Sequence, residues 1–262
     1  MFRRGWEDLR SYWWDGDWQV VLVASGLVAC GLVFIQSAGG PPAAQSQALR
    51  VALSLPFFLG ALLVSQRWVR ENAFLLFALT MVGLLIAASV GRTTNEARRW
   101  IDIAGGFKLQ PSEFVKFGLV LALARVLSRR RRARTVEGVV QAVVITGLPA
   151  VMVALQPDLG TALVLPAVCM GLCFAAGARM RHMGVLVLAG MMLLPALWMG
   201  MRPFQKQRVQ TWMHQGRMDR EERLSTGYHL HNALVAVGSG GWGGVGVGEG
   251  PQNRLGYLPE RE

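Results

Sequence analysis

Apolar residues along this chain come in long unbroken blocks instead of alternating with polar ones. No charged residue occurs from Trp18 to Leu49, Asn72 to Gly91, Gly138 to Pro157, Leu159 to Ala178 or Met183 to Met201. A hydrocarbon layer of roughly 30 Å takes about 20 helical residues to cross, and each block is long enough. Val51 to Gln66 is shorter but runs into Arg67 and Trp68, residue types that settle at a membrane interface. The pattern predicts an all-α, polytopic membrane fold with seven spans, at 18–37, 49–66, 72–91, 111–127, 138–156, 159–178 and 183–201. A polar and aromatic segment, 1–17, precedes this helical domain of 18–201, and the apolar pattern lapses over 202–262. Within that last stretch Gly227 to Val237 is predicted as a short helix. The glycine-dense run Gly238 to Gly248 follows, a backbone able to pack closely because it lacks side chains.

Composition sharpens the picture. Of the 262 residues 52% are hydrophobic and 16% charged, against about 25% charged in soluble domains. The net charge of +11 sits at the ends of the apolar blocks, so membrane topology accounts for much of it without a nucleic-acid partner. Arg3, Arg4 and Arg10, Arg67 and Arg70, the run Arg129 to Arg134, and Arg179 with Arg181 all fall on one side. Short loops rich in arginine face the cytoplasm, which puts the N-terminus there too. The first block has no small-residue cleavage site and is expected to be an anchor rather than a removed leader. Cys30, Cys169 and Cys173 lie inside apolar blocks and read as buried inert thiols.

The opposite side should be poor in cations, and 37–49 is. Two other outer stretches are not: Arg92, Arg98, Arg99 and Lys108 precede the fourth span, and Arg202, Lys206, Arg208, Arg217, Arg220 and Arg223 follow the seventh. Guanidinium groups bind phosphate oxygens in a bidentate way. An anionic ligand on the outer face and ordinary phospholipid headgroups both explain these cations.

Three polar groupings could carry chemistry. Gln110-Pro111-Ser112-Glu113 opens the fourth span, with Lys116 three residues past Glu113 and so on the same helix face. Ionisable groups in a span usually face a partner or a watery cavity, but Glu113 also suits a helix N-terminus, and the pair also fits a structural salt bridge. Gln156-Pro157-Asp158-Leu159-Gly160-Thr161 separates spans five and six. Asp158 there suits a helix cap, or a carboxylate that binds a metal or orients a sugar hydroxyl. Arg217 to Arg223 is a charge run of the kind that is usually a solvated loop, and His229 and His231 lack the surrounding cluster that a metal site needs.

Taken together these stretches resemble one family. Ala97-Arg98-Arg99-Trp100-Ile101, Gln110-Pro111-Ser112-Glu113 with Lys116, Gln156 to Thr161, Gly227-Tyr228-His229, Gly238-Ser239-Gly240-Gly241 and Leu258-Pro259-Glu260 are similar, in order and spacing, to the motifs of the SEDS (shape, elongation, division and sporulation) cell-wall glycosyltransferases, the RodA/FtsW family. The resemblance implies a ten-helix fold with a large outer loop after the seventh helix, so this chain is expected to hold the first seven helices and that loop, without the last three. It implies polymerisation of lipid II into peptidoglycan glycan on the outer face of the bacterial cytoplasmic membrane, in elongation or division. It further implies a class B penicillin-binding transpeptidase as partner and a divalent cation (Mg or Mn) as a possible assistant. The site residues carried over are Asp219 or Glu222 as base, Asp158 as supporting carboxylate, and Arg98, Arg99, Gln110, Ser112, Glu113, Lys116, Arg208 and Tyr228 around the substrate. One departure stands out: the family's loop aspartate lies six residues before the tyrosine, where this chain has Glu222 followed by Arg223, with Asp219 three residues earlier. Asp219 keeps the residue type and Glu222 the spacing. A flippase for lipid-linked precursors and a non-catalytic scaffold for wall enzymes are the rival readings.

Overall fold

A computed structural model describes residues 18–90, 92–94, 97–103, 107–128, 133–156, 158–214 and 227–251. Nine helices and three strands follow in the order α1 (Trp18–Leu62), α2 (Gln66–Glu71), α3 (Ala73–Val90), β1 (Arg92–Thr94), β2 (Ala97–Ile103), β3 (Phe107–Leu109), α4 (Pro111–Leu127), α5 (Val136–Leu155), α6 (Leu159–Ala175), α7 (Met180–Gly200), α8 (Pro203–Met213) and α9 (Tyr228–Gly240), counted among the described residues. They fall into two compact units. One is Ser65–Arg202; the other contains the described residues up to Val64 and from Pro203 onward.

In the first unit, the predicted spans at 72–91, 111–127, 138–156, 159–178 and 183–201 appear as α3 to α7. Local chemistry sets their ends. Pro111 starts α4, where its missing N–H would have had no helical partner. Thr135 caps α5 by accepting from the Gly138 N–H at 3.2 Å. Gly177, at φ 82°, ends α6: its N–H donates to the Phe174 carbonyl and the Ala178 N–H to that of Cys173, both at 2.9 Å. A left-handed glycine closing a helix with these two bonds is the Schellman arrangement.

The core lies along the seams of α4 with α3, α5 and α6, and of α5 with α6. Val115, Leu119, Leu123 and Leu127 project from α4 at helical spacing, and Ala162, Leu165, Cys169 and Cys173 from α6. Gly118 lets α3 and α4 approach. A Cβ there would stand 2.6 Å from Thr80 Oγ1 and 3.2 Å from the Phe77 Cα, closer than packed atoms tolerate. The outward faces are as apolar as the core. No residue in the most apolar window of α1 or α7 is buried, a surface unsuited to water and suited to lipid tails. Among the described residues three helices can cross a membrane by length and composition (Gln19–Leu62, Val136–Leu155 and Met180–Gly200), and Ala73–Ser89 and Leu159–Ala175 are shorter apolar helices.

Three features differ from the sequence expectation. The stretch 37–49, expected as an outer loop, is helical except at Gly40 (φ 77°, ψ −177°), where α1 kinks. Pro41 and Pro42 follow the kink, at the first turn of the second segment where proline is tolerated. The fold is mostly helical rather than all-α, because β1, β2 and β3 form a three-stranded antiparallel sheet in that order. Register pairs Arg92 with Trp100, Thr93 with Arg98 and Thr94 with Ala97, then Ile101 with Leu109, Asp102 with Lys108 and Ile103 with Phe107. The stretch after residue 201 also contains α8, which the apolar pattern missed because Gln205, Lys206, Gln207 and Arg208 are polar yet good helix formers. The helix predicted over 227–237 is α9.

Candidate functional site

The sheet delivers the chain to the site. β2, which carries Arg98 and Arg99 in its backbone, packs against α3 and α4. β3 ends at Leu109, Gln110 follows, and α4 starts one residue later. At this end of α4 the structure joins two stretches that lie 48 residues apart in sequence. Gln110 Nε2 donates to Asp158 Oδ2 at 3.1 Å and to Ser112 Oγ at 3.0 Å. The two protons of one amide nitrogen serve the two acceptors.

Asp158 has a second set of partners on α6. The Thr161 N–H donates to Oδ1 at 3.3 Å and the Thr161 hydroxyl to Oδ2 at 3.0 Å. The aspartate therefore caps α6 and, through Gln110, ties that cap to the entry of α4. Asp158 and Ser112 are 9% and 1% exposed, and at such burial a polar group without partners costs about 1–3 kcal/mol. Burial makes this a specified contact rather than a passing one. Gln156, 7% exposed, donates from Nε2 to the Leu84 carbonyl at 3.1 Å across 72 residues. The turn between α5 and α6 is thus anchored to both α3 and α4.

From the second turn of α4 Lys116 Nζ contacts both carboxylate oxygens of Glu113 on the first, at 2.9 and 2.8 Å. The pair lies within one helix, so it does not lock two helices together. Its side chains are 30% and 51% exposed, open to a ligand or to lipid headgroups. In the other unit Arg208 is exposed on α8 and half-buried Tyr228 opens α9. Asp219 and Glu222 lie outside the described residues, as do Arg129 to Arg132 and Leu258 to Glu260. Cys169 and Cys173 are buried on α6 and Cys30 is exposed on α1. Among the described residues no group of three or more His, Cys, Asp or Glu side chains comes together to hold a metal ion.

Sequence reasoning assigned no role to Gln156 or Thr161, although both stand in the stretch it singled out. The available signal was an amide side chain at the end of an apolar block, which has to find a partner inside the protein.

Residues 18–262 match the FtsW/RodA/SpoVE family, described as cell cycle proteins. The chain is 33% identical over 261 residues to a probable peptidoglycan glycosyltransferase FtsW of Allochromatium vinosum, covering 93% of this chain and 63% of that protein. It therefore spans less than two thirds of that relative. Among solved structures, the rod shape determining protein RodA of Thermus thermophilus superposes with a TM-score of 0.59 at 34% identity, over 68% of this chain and 59% of that one. A chain from a structure described as the structural coordination of polymerization and crosslinking by a peptidoglycan synthase complex superposes with a TM-score of 0.70 at 30% identity, over 92% of this chain and 73% of that one. The lipid-facing helices and the bacterial relatives make this a bacterial membrane protein. With the family match reaching from the first span to the last residue, the chain belongs to the FtsW/RodA/SpoVE family of cell cycle proteins.

Proposed function

We propose that this chain serves a peptidoglycan glycosyltransferase that polymerises lipid II on the outer face of the cytoplasmic membrane. The observation that carries the reading is the Gln110–Asp158 contact: two polar stretches, each at the end of an apolar helix, converge on one buried carboxylate. An ion pair stands on the adjoining turn. The names of the relatives point the same way.

The reaction joins the acceptor sugar's 4-hydroxyl to the donor's anomeric carbon, and the lipid pyrophosphate departs. A carboxylate must take the hydroxyl proton, and cations must meet the charge that develops on the leaving group. Asp219 or Glu222 is the base in this proposal. The resemblance gives the pyrophosphate to the cations Arg98, Arg99, Lys116 and Arg208, and Asp158, held by Gln110 and Thr161, is a fixed carboxylate. The neighbour drawn from a peptidoglycan synthase complex supports a class B penicillin-binding transpeptidase as partner.

The test is glycan polymerisation from lipid II by the protein with its transpeptidase, comparing Asp219→Asn and Glu222→Gln. A general base contributes about 10²–10⁴-fold, so one variant should lose at least that lower factor while the other is tolerated. Normal polymer from both would overturn the loop-carboxylate role and favour a flippase.

A further inference from the structure

At the end of α4 and α6 remote from Gln110 and Asp158, the two helices border an open cavity of about 380 Å³. It is lined by Ala124, Leu127 and Ser128 of the α4 end and by Leu172, Ala175 and Ala176 of the α6 end. Each set follows the i, i+3, i+4 spacing of one helix face. The volume falls in the low part of the range for small-ligand sites, about 300–1,000 Å³. None of these residues takes part in the site described above.

Shape limits the occupant. The lining spans five residues at the end of each helix, about 6 Å of axis, a fraction of the roughly 30 Å over which a transmembrane helix would pack. It is apolar apart from Ser128, whose hydroxyl donates to the Arg125 carbonyl at 2.9 Å. Charge at the mouth narrows the choice further. Arg125 is adjacent to Ala124, and its Nη1 donates to the Arg70 carbonyl, which brings a second arginine's backbone to the same end. Arg179 follows Ala176 by three peptide units, at most about 11 Å, and Arg181 stands two residues on; both are exposed. Helix C-termini carry partial negative charge. That of α6 is closed by the Gly177 turn, while α7 presents its positive N-terminal end at Arg179 and Met180.

An open apolar cavity at the helix ends, with exposed Arg179 and Arg181 three and five residues beyond its α6 wall, is complementary to one kind of molecule. We propose that this cavity binds the acyl chain of an anionic glycerophospholipid, with its phosphate held by Arg179 and Arg181. The site needs only the membrane setting and stands or falls separately from the glycosyltransferase reading.

Native mass spectrometry of the full chain, titrated in detergent with dioleoyl-phosphatidylglycerol or dioleoyl-phosphatidylcholine, tests it. One phosphatidylglycerol should be retained in preference to phosphatidylcholine. Arg179→Gln and Arg181→Gln should each reduce that preference by about fivefold, the ~1 kcal/mol expected per cation beside an anionic headgroup. Ala175→Leu fills the cavity from an exposed position and should abolish retention with unchanged helical circular dichroism; Ala124→Leu, from the other wall, gives the same reading should the first variant misfold. Equal retention of both lipids, or retention unaffected by either leucine, overturns the proposal. So does a dimer that both leucine variants dissociate, because the cavity would then be an interface between copies.

Discussion

Asp158 separates a structural from a chemical role within one side chain. As a cap it needs only an oxygen for the Thr161 N–H, and asparagine caps as well as aspartate. Asp158→Ala should therefore lower stability by about 1 kcal/mol, read by thermal unfolding in detergent. Asp158→Asn should unfold with the parent yet lose polymerisation. Full activity in the asparagine variant would reduce the residue to a cap. Lys116→Met makes the parallel test of the ion pair: the protein should still insert, because Glu113 stands on the exposed first turn of α4, but should no longer complement loss of wall synthesis. Wild-type complementation by that variant would remove Lys116 from the site. The residue types and their spacing were legible in the sequence. The i, i+3 spacing already offered Lys116 to Glu113, but that Gln110 reaches Asp158 was not legible, because a side-chain amide chooses among several partners that only packing brings within reach.

At the scale of elements, the α3–α4 seam depends on one glycine and not on its neighbour. A Cβ at Gly118 would press on Thr80 and on the Phe77 backbone, whereas at Gly83 it would meet Pro111 Cβ at 3.7 Å, an ordinary contact. Gly118→Ala should destabilise the protein by about 1–3 kcal/mol, the usual penalty of overpacking, and Gly83→Ala should be near neutral. Adding Thr80→Ala to Gly118→Ala should recover only part of the loss, because the Phe77 Cα remains 3.2 Å away. Equal melting temperatures for Gly118→Ala and the parent would show that the seam relaxes freely. Element boundaries were readable where a block had a sharp chemical edge, as at Pro111 and Asp158. The sheet was missed because arginine-rich strands lack clean apolar alternation, although Thr93, Thr94, Ile101 and Ile103 carry β propensity. The Gly40-Pro41-Pro42 signal was read as a loop, yet proline just after a break also begins a helix.

For the whole molecule the test is topology. A reporter fused within Arg129 to Arg134 should lie on the cytoplasmic side and one near Glu221 on the outer side, since the short arginine-rich loops group on one face. Both reporters on one side would require an even number of spans between them and would break the arrangement proposed for the outer site.

Insertion into a bilayer, the approximate place of most helices and the polar positions worth testing were determined by sequence alone. Each follows from composition over a short window, since unbroken apolar runs partition into lipid and ionisable groups within them stand out by their cost. The tertiary structure decided which of those polar groups meet. Gln110 and Asp158 are 48 residues apart, and Gln156 reaches Leu84 across 72, distances over which local periodicity carries no information. It also decided that the ends of α4 and α6 border a cavity. A cavity depends on side-chain volumes on two elements at once, Ala124 against Ala175 and Ala176, and neither element alone encodes it.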